Sequence, residues 1–238
     1  MSDRSAGNTP NDIDELSAYL ARFVTDDRRA RMEQVLGERT RYLTVVVEDV
    51  YQPHNASAVL RTCDCFGIQD VHIIENRNRY RLNPGVELGT AQWLTLHRYG
   101  RAEHNTADAV ARLRAAGYRI VATSPHADDV PLAQFDLEAG PSALLFGNEL
   151  DGLSSVALDA ADEHLVIPMY GFVESLNISV SAAIVLHDLS SRLRTGGVAY
   201  RLSPDEQAQI MLGWLRSSIG RADVLEREFH ARRKETEA

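Results

Sequence analysis

Apolar positions along the chain fall into two rhythms. From Asp12 to Phe23 and from Asp26 to Leu36 they recur at helical spacing, with Leu16, Leu20 and Phe23 on one face and Gly37 stopping the second helix. From Tyr42 onward short, continuous apolar runs take over. Leu43 to Val47, Asp70 to Ile74, Trp93 to His97, Tyr118 to Ala122, Ala143 to Phe146 and Leu165 to Ile167 read as strands. Between and after them, Asn55 to Phe66, Asn105 to Ala116, Ser154 to Ala160 and a long segment ending near Arg194 read as helices, with Gly67 and Gly117 as stops. Strands that alternate with helices and are apolar on both faces predict an α/β fold with a mainly parallel sheet covered on both sides. Gly196-Gly197 then breaks the chain, and Pro204 to Ser217 and Ala222 to Arg233 read as two terminal helices. The expected organisation is a helical extension over 1–42, an α/β domain over 43–195 and a second helical extension over 196–238. Residues 1–10 are polar, with Gly7 and Pro10, and are expected to be disordered.

The stretch from Ile167 to Leu186 organises the domain. A strand end meets Pro168, which cannot donate to a sheet ladder, and Gly171 lets the chain bend. Ser175 and Asn177 are both good helix N-cap residues, and the segment after them is rich in Val, Ala and Ile, so a buried helix starts at one or the other. The first amides of such a helix point into the loop and suit a polar or anionic ligand group. A capped turn without a ligand fits the same residues.

Composition narrows the field. With 238 residues, 44% of them hydrophobic, the chain can bury one substantial core. It has no apolar run of bilayer length and opens without the apolar segment of a signal peptide, so a cytoplasmic protein with no membrane partner is expected. Cys63 and Cys65 are two apart on a predicted helix, face different ways and cannot pair with each other; buried or half-buried thiols are expected, and no metal. A net charge of -9 argues against nucleic-acid binding by bulk attraction. The positive charge is nevertheless clustered, at Arg22 to Arg41, Arg77 to Arg81 and Arg216 to Lys234, and Lys234 is the only lysine. Guanidinium suits bidentate phosphate contacts, although genome composition or a salty habitat would give the same bias.

Neither a G-x-G-x-x-G after the first strand nor a Walker-type phosphate loop is present, which disfavours an ordinary dinucleotide or ATP fold. Instead, three polar clusters follow predicted strands, where open α/β sheets place ligands. The first runs from Gln52-Pro53-His54-Asn55 to Arg61-Thr62. The second is Gly147-Asn148-Glu149-Leu150-Asp151-Gly152, whose glycines allow close backbone approach. The third is the Ile167 stretch.

Taken together, N-x-S-A-x-x-R-T, G-x-E-x-x-G and I-P-M-x-G-x-V-x-S-L-N-x-S-V resemble the three motifs of the SpoU (TrmH) branch of the SPOUT methyltransferases, over roughly Leu43 to Arg194. The resemblance implies a deep trefoil knot in the C-terminal part of the sheet, S-adenosylmethionine held by the knot loops, and a homodimer with its active site at the interface. It further implies donor binding at Thr123, Gly147, Ile167, Met169 and Leu176, and a polar catalytic set of Asn55, Arg61, Glu149, Ser175 and Asn177. Taken one at a time, Ile167, Met169 and Leu176 would more often be core.

The implied reaction is methyl transfer to a ribose 2′-hydroxyl of RNA. Guanidinium hardly deprotonates, so Arg61 is expected to stabilise the forming alkoxide and grip the adjacent phosphate rather than act as a base. Within the branch, Gln52-Pro53-His54-Asn55-Ala56-Ser57-Ala58 most resembles the tRNA guanosine-18 2′-O-methyltransferases, with Gln52 where a lysine is common. Residues 1–42 are too few for the extra RNA-binding domain of the ribosomal RNA enzymes, which remain the alternative beside a non-catalytic RNA-binding member. Arg28, Arg29, Arg39, Arg41, Arg192 and Arg194 are the expected RNA-facing patch; an ordinary solvated helix face is the other reading of each.

Overall fold

The computed structural model describes residues 10–80, 89–102, 104–124 and 129–236. The expected disorder of 1–9 lies outside these, as do Arg81 and the side chain of Lys234; Pro10 instead opens a helix. The chain divides into two compact units, one from Thr40 to Tyr200 and one made of the segments before and after it.

The Thr40–Tyr200 unit is built on a seven-stranded sheet in the order β3-β2-β1-β6-β4-β7-β5, with every pairing parallel. Its strands are β1 (Leu43–Glu48), β2 (Asp70–Ile74), β3 (Thr95–Tyr99), β4 (Arg119–Thr123), β5 (Val130–Pro131), β6 (Ser142–Phe146) and β7 (Glu163–Val166). The α/β class and the parallel sheet expected from the apolar runs are what the chain adopts. β1, β2 and β6 are buried along their whole length because side chains alternate between two covered faces. Val45, Val47, Leu144 and Phe146 pack on one face with α3 (Pro53–Cys65) and α6 (Ile178–Thr195). Val46, Ala143 and Leu145 pack on the other with α4 (Asn105–Ala115) and α5 (Ser155–Asp159).

Several boundaries move for local reasons. A 3₁₀ turn over Thr90–Trp93 delays the third strand to Thr95. Strand β7 stops at Val166, one residue before Ile167. The two-residue β5 was not anticipated; it carries Pro131, which a sheet accepts at its edge. Of the two thiols, Cys63 is buried and Cys65 is exposed, so the expected burial holds for one of them.

At the β2–β3 edge the register sets His72 beside His97, and their rings stack with centroids 4.4 Å apart. His97 bonds Asp70 at 3.1 Å, Arg41 pairs with Asp70 at 2.6 Å, and His72 Nδ1 lies 2.9 Å from the Tyr99 hydroxyl. Burial, then the charge of His97, pushes the His72 imidazole down to about 4. Burial raises Asp70, but the His97 hydrogen bond and Arg41 outweigh it and leave the carboxyl below its ordinary value. The unfolded imidazole takes up a proton near pH 6.5 that the folded one refuses until about 4, so His72 makes no such demand above pH 6.5 and weakens the fold progressively as the pH falls through that window. Between pH 7 and pH 5 the wild type should lose roughly 2 kcal/mol of stability that a His72→Gln variant keeps. Urea titrations of both chains at the two pH values read this difference directly.

The second unit consists of α1 (Pro10–Ala21), α2 (Asp26–Leu36), α7 (Pro204–Ser218) and α8 (Ala222–Thr236). Leu16 and Leu20 of α1 pack in its interior, as do Ile210, Leu212, Trp214 and Leu215 of α7. Ser203 and Glu206 close a capping box ahead of Pro204, with Ser203 N donating to the carboxylate at 2.8 Å and Glu206 N to the hydroxyl at 3.3 Å. Thr25 caps α2, and Arg233 pairs with Asp12. Arg39 is only 1% exposed, its guanidinium 5.4 Å from the centre of the Trp214 ring. The expectation that Arg39 faces RNA is therefore wrong: its long stem and cation–π contact belong to the interior of this unit. Arg39→Ala should lower the unfolding free energy by about 1–3 kcal/mol, seen as an earlier urea midpoint.

Candidate active site

Because the strands are parallel, the loops that follow them emerge along one edge of the sheet. After β6 the chain turns back sharply. Asn148 and Gly152 bond each other through both backbone amides, at 3.0 and 3.2 Å, and the Asn148 side-chain oxygen accepts from the amides of Leu150 and Asp151. Gly152 has φ of 71°, and a Cβ placed on Gly147 would lie 2.0 Å from the Gly152 carbonyl carbon. Only glycine at 147 lets this loop close on itself.

The loop from Ile167 to Asn177 lies opposite. Asn177, not Ser175, is the cap of α6: its side-chain oxygen accepts from Ser179 N at 2.9 Å and from the Ser179 hydroxyl at 2.6 Å. Ser175 stays in the loop.

Between these segments lies a cavity of about 410 Å³. Thr123, Gly147, Ile167, Met169 and Leu176 all line it, together with Glu149 and Ser175. Thr123 gives its hydroxyl to the Leu145 carbonyl at 2.8 Å. Glu149 and Asp151 bring carboxylates to the wall, and among the described residues lining it there is no arginine or lysine. The rest of the wall mixes apolar side chains, among them Phe146, Leu165, Ile167, Met169 and Leu176, with the polar Thr123, Ser124, Asn148, Ser175 and Ser181. Such a lining suits a flat, apolar ring and a positive centre, and is poor for a phosphate.

Hydrogen bonds join all three loops. Buried Asn55, near the start of α3, donates to Glu149 at 2.5 Å and accepts from Asn177 Nδ2 at 3.2 Å, while Tyr51 N also reaches Glu149, at 3.4 Å. The helical spacing of Asn55 and Arg61 hides this arrangement, since it depends on α3 packing against α6.

Arg61 stands apart. It is exposed on α3, does not line the cavity of its own chain, and makes no hydrogen bond or ion pair with the described residues.

Among the remaining arginines, Arg28 and Arg29 are exposed on the helical unit. Three others are engaged within the fold: Arg41 with Asp70, Arg192 with the carbonyls of Leu132 and Phe135, and Arg194 with those of Ser190 and Phe66. These bonds correct the picture of a free phosphate-binding patch at 41, 192 and 194.

Residues the sequence did not single out also line the cavity. Ser124, Leu153, Leu165 and Ser181 have no local signature; Ser181 could have been found one helical turn beyond Ile178. Among the described residues no group of His, Cys, Asp and Glu could hold a metal ion, and no helix is long and apolar enough to cross a membrane.

Residues 42–187 match the SpoU rRNA Methylase family. The chain belongs to this family. It is 42% identical over 216 residues, 91% of its length and 97% of the relative's, to the tRNA (guanosine(18)-2'-O)-methyltransferase of Borreliella burgdorferi. Among solved SpoU structures, the A. aeolicus TrmH/SpoU tRNA modifying enzyme superposes with a TM-score of 0.72 at 29% identity, covering 82% of this chain and 98% of that one. The SpoU methyltransferase AviRb from Streptomyces viridochromogenes, solved in complex with the cofactor AdoMet, gives a TM-score of 0.57 at 25% identity, covering 68% and 65%.

Proposed function

We propose that this SpoU-family chain transfers a methyl group from S-adenosylmethionine to the ribose 2′-hydroxyl of guanosine 18 in tRNA. The observation that carries the reading is the cavity closed by the Gly147 and Ile167 loops. Its leucine, isoleucine and methionine side chains fit an adenine, the Glu149 carboxylate favours a sulfonium, and the absence of cations among its described lining disfavours a nucleotide phosphate. The tRNA target follows the relative that matches nearly the whole chain.

S-adenosylmethionine supplies an electrophilic methyl on a sulfonium. Thr123, Ile167, Met169 and Leu176 would hold its flat and apolar parts, and the Gly147 backbone would approach it closely. The Asn55–Glu149–Asn177 chain keeps the loops in register, so that Ser175 can orient the polar end of the donor. Arg61 acts on the other substrate: its guanidinium, which has no partner among the described residues, stabilises the forming ribose alkoxide and holds the neighbouring phosphate, and the proton leaves to phosphate or water.

Since Arg61 does not line its own chain's cavity, the working site is read as a homodimer that places one chain's Arg61 against the other's donor cavity. Exposed apolar side chains support this: Tyr170, Phe172 and Val173 are 96%, 107% and 69% exposed, and Val180 and Ile184, also exposed, follow at helical spacing on α6. A deep trefoil knot through the Ile167–Leu186 segment and a cytoplasmic location complete the reading, the first on the family likeness and the second on the tRNA substrate.

Incubation with labelled donor and unmodified tRNA, followed by mapping of the modified nucleotide, tests the function. A 2′-O-methyl at guanosine 18 is the expected product. Methylation of ribosomal RNA alone, or no transfer to either RNA, would overturn it.

A further inference from the structure

The cavity occupies only part of the sheet's C-terminal edge. Moving outward along the strand order, from β6 through β1 and β2 to β3, the loop after β2 carries Arg77 and Arg79, the end of β3 carries Arg98, the loop after it Arg101, and Arg112 of α4 stands beside them. Three strand spacings separate β6 from β3, about 14 Å, which a few nucleotides of a single strand can span.

Two independent features set this rim apart from an ordinary charged surface. The first is how its charges are used. Arg98 bonds Glu75 at 2.8 Å, Arg112 bonds Asp108 at 3.1 Å, and Arg77 bonds Asp151 at 3.0 Å. Those acids neutralise those arginines. Arg79 and Arg101 are exposed and have no hydrogen bond or ion pair with the described residues, so among the described residues the rim's positive charge without a paired acid is theirs. The second is shape. At the end of β3 lies a concavity of about 410 Å³, large enough to seat a phosphodiester; Arg98, Arg101, Asn105 and Arg112 line it, as does Asp108, the acid that Arg112 bonds.

The rim is also tied to the cavity. Asp49, at φ 51°, turns its carboxylate onto the amides of Asn76, Arg77 and Asn78, at 2.7, 2.9 and 3.2 Å, and so anchors the loop that presents Arg77 and Arg79. Arg77 then reaches Asp151, a residue of the cavity wall.

We propose that Arg79 and Arg101 form a phosphate track for the RNA strand flanking the methylated nucleotide. The proposal rests on the RNA methyltransferase reading and names a substrate surface different from the six arginines expected from sequence. Contacts of this kind fix register and affinity and carry no base information.

The test uses the full-length chain and an unmodified tRNA transcript, with the Arg79→Gln/Arg101→Gln and Arg79→Lys/Arg101→Lys double variants. Removing two phosphate contacts should make the plot of log affinity against log salt shallower by about 1.4 and raise KM for tRNA. The methylation rate at saturating tRNA and the affinity for S-adenosylmethionine should stay at wild-type values. The lysine variant should keep most of the salt dependence, because the charges remain. A glutamine variant with wild-type slope and KM would overturn the track. So would a fall in rate at saturating tRNA with KM unchanged. A wild-type chain that binds no tRNA at all would instead overturn the functional reading, and the track with it.

Discussion

Gly147→Ala should weaken S-adenosylmethionine binding roughly 10- to 100-fold while leaving the sheet folded. The added methyl would sit 2.0 Å from the Gly152 carbonyl carbon and 2.2 Å from Leu153 N. Both are backbone atoms, so no flexible side chain can yield. The Asn148–Gly152 bridge must open instead, at a cost typical of overpacking, about 1–3 kcal/mol, and each 1.4 kcal/mol is a factor of ten in affinity. Opening it also displaces Glu149 and Asp151 from the cavity wall. Gly171→Ala is the matched comparison, since nothing lies within 4 Å of a Cβ there. Calorimetric titration of both variants with the donor checks the pair. Equal affinities would show that the closed loop is not needed for binding.

Replacing Arg61 should act on rate rather than on the donor. Arg61 does not touch the cavity of its own chain, so Arg61→Ala should bind S-adenosylmethionine as the wild type does. Removal of a group that stabilises a developing oxyanion lowers turnover by about 10²- to 10³-fold. Arg61→Lys should recover only part of that loss, because an ammonium keeps the charge and not the planar fork that can meet alkoxide and phosphate together. Single-turnover methylation at saturating tRNA gives the rate, and filter binding gives the RNA affinity. A lysine variant with near-normal turnover and unchanged RNA affinity would remove Arg61 from the role given to it. Mixing Arg61→Ala with Gly147→Ala chains, at a donor concentration too low to fill the Gly147→Ala cavity, extends the test to the dimer: if one chain's arginine serves the other's cavity, exchanged subunits show activity above that of either variant alone.

The pattern of apolar runs was enough to determine the parallel sheet, because a strand buried on both faces is apolar at nearly every position, as Ala143 to Phe146 is throughout and Leu43 to Val47 is except at Thr44, whose hydroxyl bonds the Asp70 carbonyl. The three polar clusters were equally legible, since Pro53, Gly147, Gly152 and Pro168 mark where the backbone must leave its strand. What periodicity could not supply was the partner of each side chain. Asn55, Glu149 and Asn177 are far apart in the chain and meet only because α3 packs beside α6. Arg39 reads like its exposed neighbours Arg28 and Arg29, yet Trp214, 175 residues later, buries it. Arg41, Arg192 and Arg194 likewise carry a surface composition and spend their guanidinium groups on Asp70 and on backbone carbonyls. A local sequence determines whether a segment suits a strand, a turn or a cap, since those preferences come from backbone sterics and near neighbours. Which charges remain free for RNA is decided by distant residues that arrive only on folding.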